Sequence, residues 1–399
     1  IGGAASVMSA IPFITQLGSD IDGEAAGDQS GWSVSLSSDG TKIAIGTPQN
    51  DGNGSNSGHV RVYGYSAGSW SQLGSDIDGE AVGDQSGASV SLSSDGTKIA
   101  IGAHSNGGNG TYAGHVRVYQ YSAGSWSQLG SDIDGEAAFN QSGQSVSMSS
   151  DGLTVAIGAA SNSGNGIYSG HVRVYSYSAG SWSQLGSDID GEAAGDRSGA
   201  SVSLSSDGTK IAIGAYDNDG NGTNAGHVRV YGYSAGSWSQ LGSDIDGEAA
   251  GDRSGRSISL SSDGTKIAIG AYENDGNGTN AGHVRVYDYS AGSWSQLGSD
   301  IDGEAGGDLS GLSVSLSSDG LTVAIGAASN SGNGSNAGHV RVYGYSAGSW
   351  SQLGSDIDGE AAGDFSGASV SLSSDGTKIA IGAFYNDGNG SNSGHVRVY

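Results

Sequence analysis

The nonapeptide Gln-Leu-Gly-Ser-Asp-Ile-Asp-Gly-Glu begins at Gln16, Gln72, Gln128, Gln184, Gln240, Gln296 and Gln352, a constant step of 56 residues in a chain of 399. Self-similarity at a fixed period means that one supersecondary unit is stacked on copies of itself, because a single unit of this size cannot bury its apolar face alone. Within the first unit, Ser33 to Ser38, Thr41 to Thr47, His59 to Tyr65 and Trp70 to Gly74 alternate apolar with small or polar residues. Each run has the length of a strand. Asp39-Gly40 and Ser66-Ala67-Gly68-Ser69 read as tight hairpin turns, since glycine supplies the positive φ that such turns require. The connections Pro48 to Gly58 and Ser75 to Gly87 are longer and polar. No stretch has helical periodicity, and 75 glycines disfavour helix throughout. The pattern predicts an all-β, seven-bladed β-propeller whose four-stranded blades are 56 residues each.

The chain ends decide between a closed ring and an open solenoid. Tyr399 ends the third strand of its unit, and Phe13 to Gly18 aligns with Ser-Trp-Ser-Gln-Leu-Gly of the other units. The first residues are therefore expected to complete the last blade and cover an edge that an open array would expose. Residues 12–399 then form one propeller domain, and residues 1–11 are expected to be a leader remnant outside the repeats.

Composition narrows the function. Fifteen Lys and Arg against 41 Asp and Glu give a formal charge of −26, and the cations are dispersed along the repeats, so nucleic acid is a poor partner. No apolar run approaches the roughly 20 residues of a membrane span, so membrane insertion is not expected. The absence of cysteine excludes disulfides and thiolate metal sites.

At Ser30-Gly31-Trp32-Ser33-Val34-Ser35, Ile45-Gly46-Thr47-Pro48 and Gly58-His59-Val60-Arg61-Val62-Tyr63 the unit resembles an FG-GAP repeat, the blade of integrin α-chain propellers. The Ser-Ser-Asp-Gly turn is also similar to the hairpin of WD-repeat propellers. The resemblance implies a propeller that binds or adheres outside the cell, placed extracellularly or on the cell surface, and it supplies no catalytic residue. Such repeats often hold Ca²⁺ in an Asp-rich loop between the first two strands. Here that loop is Ser37-Ser38-Asp39-Gly40-Thr41-Lys42, and one carboxylate beside a lysine cannot provide the six to eight oxygens that Ca²⁺ takes.

Other residues carry candidate chemistry. Asp20 and Asp22, with their copies Asp76 and Asp78, stand at i and i+2 before a glycine and resemble half of a calcium loop, so Ca²⁺ is the cofactor considered. The competing reading is that the short carboxylates organise a turn by accepting local N–H bonds. His59 and its copies are expected to bond the preceding loop at Asp28 or Ser30. The repeated tryptophans, Trp70 to Trp350, are expected to pack between blades; an exposed ring would instead offer a platform for a sugar. Asn53, Asn109, Asn140, Asn221, Asn277, Asn333 and Asn389 stand in glycosylation tripeptides. An enzyme needs unlike groups with separated pKa values at one place, whereas nearly every acid, base and hydroxyl here is copied seven times, and no enzymatic activity is expected. Asp217 and Glu273 are the blade-specific acids that a glycosidase would have to use.

Differences among the copies gather in two loops. At the position of Gln29 the later units carry Gln85, Gln141, Arg197, Arg253, Leu309 and Phe365, and at Trp32 they carry Ala88, Gln144, Ala200, Arg256, Leu312 and Ala368. In the other loop Pro48 becomes His104, Ala160, Tyr216, Tyr272, Ala328 and Phe384, and Gln49 becomes Tyr385 in the last unit. Because strands alternate in direction, both loops emerge on one face of the ring. The expected function is non-enzymatic: a monomeric module that recognises a saccharide or a protein there. Trp32, Tyr216, Tyr272, Phe384 and Tyr385 would stack, and Arg197, Arg253 and Arg256 would form a cationic patch for carboxylate or sulfate. The alternative is a structural ring with no specific ligand.

Overall fold

The computed structural model describes residues 15–399. Among them, seven antiparallel sheets succeed one another in chain order. In the first blade the strands are Ser33–Leu36, Lys42–Thr47, His59–Ser66 and Ser69–Gln72, paired in that order. A short extra strand, Ile77–Asp78, returns to the start of the third strand, with Ile77 opposite Val60 and Asp78 opposite His59. The sequence alone suggested a loop here, but the Ile-Asp half of the Asp-Ile-Asp run is strand, because Ile77 is drawn into the core at 4% exposure, while Asp76 stays outside it.

Ile21–Asp22 pairs with Val396 and His395 of the last blade, and the Leu17 N–H donates to the Val398 carbonyl at 2.7 Å. The ring therefore closes with N-terminal residues, although Phe13, Ile14 and residues 1–11, expected to be a leader remnant, lie outside the described residues. A second closure runs around the axis. Ser38, Ser94, Ser150, Ser206, Ser262, Ser318 and Ser374 each donate a backbone N–H to the next one's carbonyl at 2.8–2.9 Å, and Ser374 returns to Ser38.

Both faces of the second strand are buried between neighbouring blades, which is why it reads Lys-Ile-Ala-Ile-Gly-Ala and not as a half-polar alternation, whereas the outermost strand, Ser237–Gln240 in the same blade, is largely exposed. Ala212, Val228, Val230 and Ile245 of the fourth blade meet Ile258, Leu260, Ile267 and Ile269 of the fifth. Each such isoleucine contributes about 1.5–3 kcal/mol on burial. Polar latches cross the same junctions. The Trp70 indole N–H donates to the Leu17 carbonyl at 2.6 Å, and the buried Arg61 donates through Nη2 to the Asp22 carbonyl at 2.7 Å while lying over the Tyr63 ring. Equivalent latches recur around the ring.

Candidate functional site

The two variable loops are sewn together by recurrent polar residues, with Asn140 standing at the Asp28 position of the third unit. Asn50 donates to the Asp28 carboxylate at 3.0 Å and accepts the Gly52 N–H at 2.8 Å, while Asp28 also accepts the Ala25 N–H. Asn53 reaches the Gly79 carbonyl, and Gly58 bridges Ser86 in parallel. Between these stitches the backbone at Gln29 and all six of its copies is left-handed, with φ between 53° and 58°. A β-carbon there costs about 1–2 kcal/mol, so these side chains are held where the backbone resists them.

All seven copies of the Trp32 position ring the mouth of the channel. Trp32, Gln144, Arg256 and Leu312 are its larger members, joined by His104 and Phe384 around about 410 Å³. Trp32 meets Phe384 edge-on at 4.9 Å, Phe384 lies 4.3 Å from Tyr385, and Phe365 lies 5.4 Å from Tyr385. The expected cationic patch takes a different form. Arg197 pairs with Asp217 at 2.9 Å, and Arg253 pairs with Asp217 at 3.1 Å and Glu273 at 2.9 Å. Two of the three guanidinium charges are thereby balanced, and among the described residues only Arg256 of the three lacks a carboxylate partner; with Arg253 it lies over the Tyr216 ring. Burial and the neighbouring Glu273 push the Tyr272 hydroxyl up to about 12, so it stays a donor at any physiological pH. Asp217 and Glu273, the acids a glycosidase would use, are spent on this network.

The structure adds a group that the repeat comparison did not single out. Tyr112, Phe139, Ile167 and Tyr168 are exposed by 48, 60, 71 and 46%. Phe139, Ile167 and Tyr168 line a cleft of about 490 Å³, and Tyr112, Phe139, Tyr168 and Arg197 line an adjoining one of about 270 Å³. The Arg197 guanidinium lies 5.3 Å over Tyr168. A signal was available in the sequence. Phe139 occupies a position that is glycine in the other six units, and Tyr112 and Tyr168 replace an asparagine. Their φ values are 67°, 54° and 56°, so three aromatics occupy left-handed positions where the other blades use residues suited to that conformation.

A second recurrent constellation lies where one blade hands over to the next. His59 is 1% exposed, and its Nδ1 faces Glu24 Oε2 at 3.9 Å and Asp76 Oδ2 at 3.8 Å. The same arrangement recurs at every blade junction, His395 being flanked by Asp20 and Glu360. The bond expected from His59 to Asp28 or Ser30 is not formed. Ser30 Oγ and the Nε2 atoms of His59, His227, His283, His339 and His395 are buried without a partner among the described residues. Burial, aided by Arg61, holds His59 down at about 4 against the Asp76 and Asp28 carboxylates, which favour a charged ring.

Four units, residues 21–63, 189–231, 245–287 and 357–399, match the family described as FG-GAP repeat. The chain carries FG-GAP repeats in a seven-bladed β-propeller. No curated protein sequence matches it. Among solved structures it is similar to the Kuenenia stuttgartiensis hydrazine synthase, at 14% identity and a TM-score of 0.57, over 92% of this chain and 95% of that one. At that identity the likeness is one of fold.

The FG-GAP calcium loop does not fit these residues. Asp39 Oδ1 already accepts from Ser37 Oγ, the Thr41 N–H and Thr41 Oγ1, and Lys42 Nζ reaches over the next blade's turn to the Asp95 carbonyl. The Asp20–Asp22 and Asp76–Asp78 pairs do not close a loop either. Asp20 and Asp76 turn to His395 and His59 and accept from Gln16 and Gln72, while Asp22 and Asp78 sit in strands whose carbonyls Arg61 and Arg117 occupy. In the FG-GAP propeller the glycosylation asparagines act as stitches. Asn165, outside any such tripeptide, makes the same bond to a glycine carbonyl, and Asn140 is buried.

Proposed function

We propose that this FG-GAP propeller is a non-enzymatic binding module that takes a saccharide on its variable face, in the aromatic cleft of Tyr112, Phe139 and Tyr168 beside Arg197. The observation carrying this reading is the placement of three exposed aromatics at left-handed backbone positions. Tyr112 and Phe139 meet at 6.1 Å and Arg197 covers Tyr168, but rings that stay 46–60% exposed gain little packing to offset their backbone cost, and strain of this kind concentrates at ligand sites. Flat rings suit the apolar faces of sugars, and Arg197, with one charge-assisted bond to Asp217, retains donors for a ligand carboxylate or hydroxyl. The acidic chain and the FG-GAP repeats favour an extracellular or cell-surface setting and a monomer.

A glycan array probed with the full chain, once in millimolar calcium and once with chelator, tests the reading. Phe139→Gly, Tyr112→Asn and Tyr168→Asn restore the residues of the other blades. They are expected to abolish selective binding in both buffers while leaving stability equal or higher. No glycan bound in either buffer, or binding untouched by these reversions, would sink it and leave a protein partner or an unliganded structural ring.

A further inference from the structure

We propose that the mouth of the axial channel is a second binding site, separate from the aromatic cleft, and that it takes a small aromatic carboxylate. The two ends of the channel differ. At one end Leu36 and Ser38 recur with their copies around about 150 Å³, and Met148 is the single exception to the repeat. At the other end the position of Trp32 carries five different residue types in seven blades. The variety there is also sorted. Leu312, Phe384 and Trp32 come from the sixth, seventh and first blades, which are neighbours once the ring closes. His104, Gln144 and Arg256 come from the second, third and fifth. An apolar wall thus faces a polar one across about 410 Å³, within the range of about 300–1,000 Å³ usual for small-molecule sites.

The apolar wall suits a flat ring. Trp32 is 42% exposed and meets Phe384 edge-on at 4.9 Å, so an aromatic guest gains stacking and edge contacts beside them. A sugar would leave hydroxyls unpaired against Leu312 and Phe384. The polar wall selects charge. The chain carries 41 Asp and Glu, yet none lines this cavity, and its one cation is Arg256. That guanidinium lies 5.7 Å over the Tyr216 ring without a carboxylate partner among the described residues, so its fork remains for a carboxylate. Burial lowers the pKa of His104, and the ring adds no charge. Gln144 Oε1 and His104 Nδ1 are buried without a partner, and neither side chain makes a hydrogen bond among the described residues. Each can therefore turn an N–H toward a bound carboxylate without giving up a bond to the scaffold.

The test titrates the full chain by calorimetry with benzoate, 2-naphthoate and indole-3-acetate, the amide of the tightest binder serving as neutral control. Saturation at one equivalent per chain is expected for at least one acid, with its amide weaker by about tenfold or more. Alanine already stands at the Trp32 position as Ala88, Ala200 and Ala368, so Arg256→Ala and Trp32→Ala are exchanges the ring accepts. Arg256→Ala is expected to weaken binding about tenfold or more, and Trp32→Ala about threefold to tenfold. Lys210→Thr removes the same charge at the opposite end of the channel, where Thr154 and Thr322 stand in other blades, and is expected to change nothing. None of these positions lines the cleft of Tyr112, Phe139 and Tyr168, so the result is independent of the saccharide reading. Absence of saturable binding for all three acids would overturn the proposal. So would an affinity untouched by either alanine variant, an amide that binds as tightly as its acid, or an equal loss in Lys210→Thr.

Discussion

Two Gly→Ala substitutions in the fourth blade separate steric from conformational cost. Gly214 has an ordinary φ, but a β-carbon built there would lie 2.0 Å from the Gly255 carbonyl oxygen of the next blade and 2.4 Å from Ser201 Oγ. Those atoms are hydrogen-bonded to each other at 2.7 Å, so the methyl group would enter the bond that joins two blades. At least an ångström of backbone displacement is needed, and the neighbour is main chain packed between sheets. Overpacking of about 1–3 kcal/mol plus a lost neutral hydrogen bond of about 1 kcal/mol gives a destabilisation of about 2–4 kcal/mol for Gly214→Ala. Gly236 is the opposite case. Its φ is +88° and nothing lies within 4 Å of a β-carbon, so Gly236→Ala costs only the left-handed penalty of about 1 kcal/mol. Urea unfolding monitored by tryptophan fluorescence measures both, the comparison resting on midpoints at unchanged slope. Equal losses, or a smaller loss at Gly214, would refute the claim that blade contact dictates glycine in the second strand.

Further outcomes follow from the latches and the buried rings. Trp238→Phe keeps an aromatic ring near Tyr233 but removes the 2.7 Å bond to the Leu185 carbonyl, and is expected to cost about 1–2 kcal/mol in the same assay. Ala235 stands in the left-handed region at φ 51° before Gly236; Ala235→Asn, which tolerates that conformation, is expected to stabilise by up to about 1 kcal/mol, read as a raised midpoint. His59 and His171 are held down at about 4, mainly by burial and then by the neighbouring Arg61 or Arg173, against 6.5 when free. The unfolded chain therefore binds more protons between those values, so stability is full above about pH 6.5 and falls as pH drops toward 4, by about 3 kcal/mol for each of these two rings. Burial lowers the other five ring histidines of this set in the same direction, whereas the raised carboxyl of Glu24 acts with the opposite sign. Midpoints at pH 7.5 and 4.5 check the sign, and an equal or higher midpoint at pH 4.5 would contradict it.

Architecture was legible in the sequence because periodicity 56 and period-two alternation are properties of the chain itself. Blade number, strand order, both hairpins and closure by N-terminal residues follow from them. The short strand Ile77–Asp78 was missed because two residues carry no alternation and Asp next to Gly signals a turn; burial of Ile77 overrides that local signal. The arginine patch was misread for a related reason. Sequence placed Arg197, Arg253 and Arg256 together, but the pairing of Asp217 with two of them depends on side chains 20 and 36 residues apart converging across blades. The histidines were assigned the wrong partner because Glu24 and Asp76 belong to segments on either side of His59, and no spacing rule links them.

A chain of near-identical repeats contains its own control, and that changes what counts as a functional signal. Arg61, Trp70, Asn50 and their copies make the same kinds of contact from blade to blade, so their repetition is explained by the ring they hold together. A left-handed backbone at Gln29 is likewise common to all units and follows from the stitches around it. Phe139 stands apart. Six blades meet the same backbone demand with glycine, so the fold does not require the aromatic ring and is burdened by it. Drift favours cheap exchanges at exposed positions, and an aromatic with φ 67° and 60% exposure is an expensive one. Tyr112 and Tyr168 depart in the same direction from asparagine and line the smaller cleft together with Phe139, Tyr168 lining the larger one as well. Three costly departures at one place are better explained by a ligand that gains from them than by independent accidents. The reversion Phe139→Gly should therefore separate the two quantities, raising stability while removing the function.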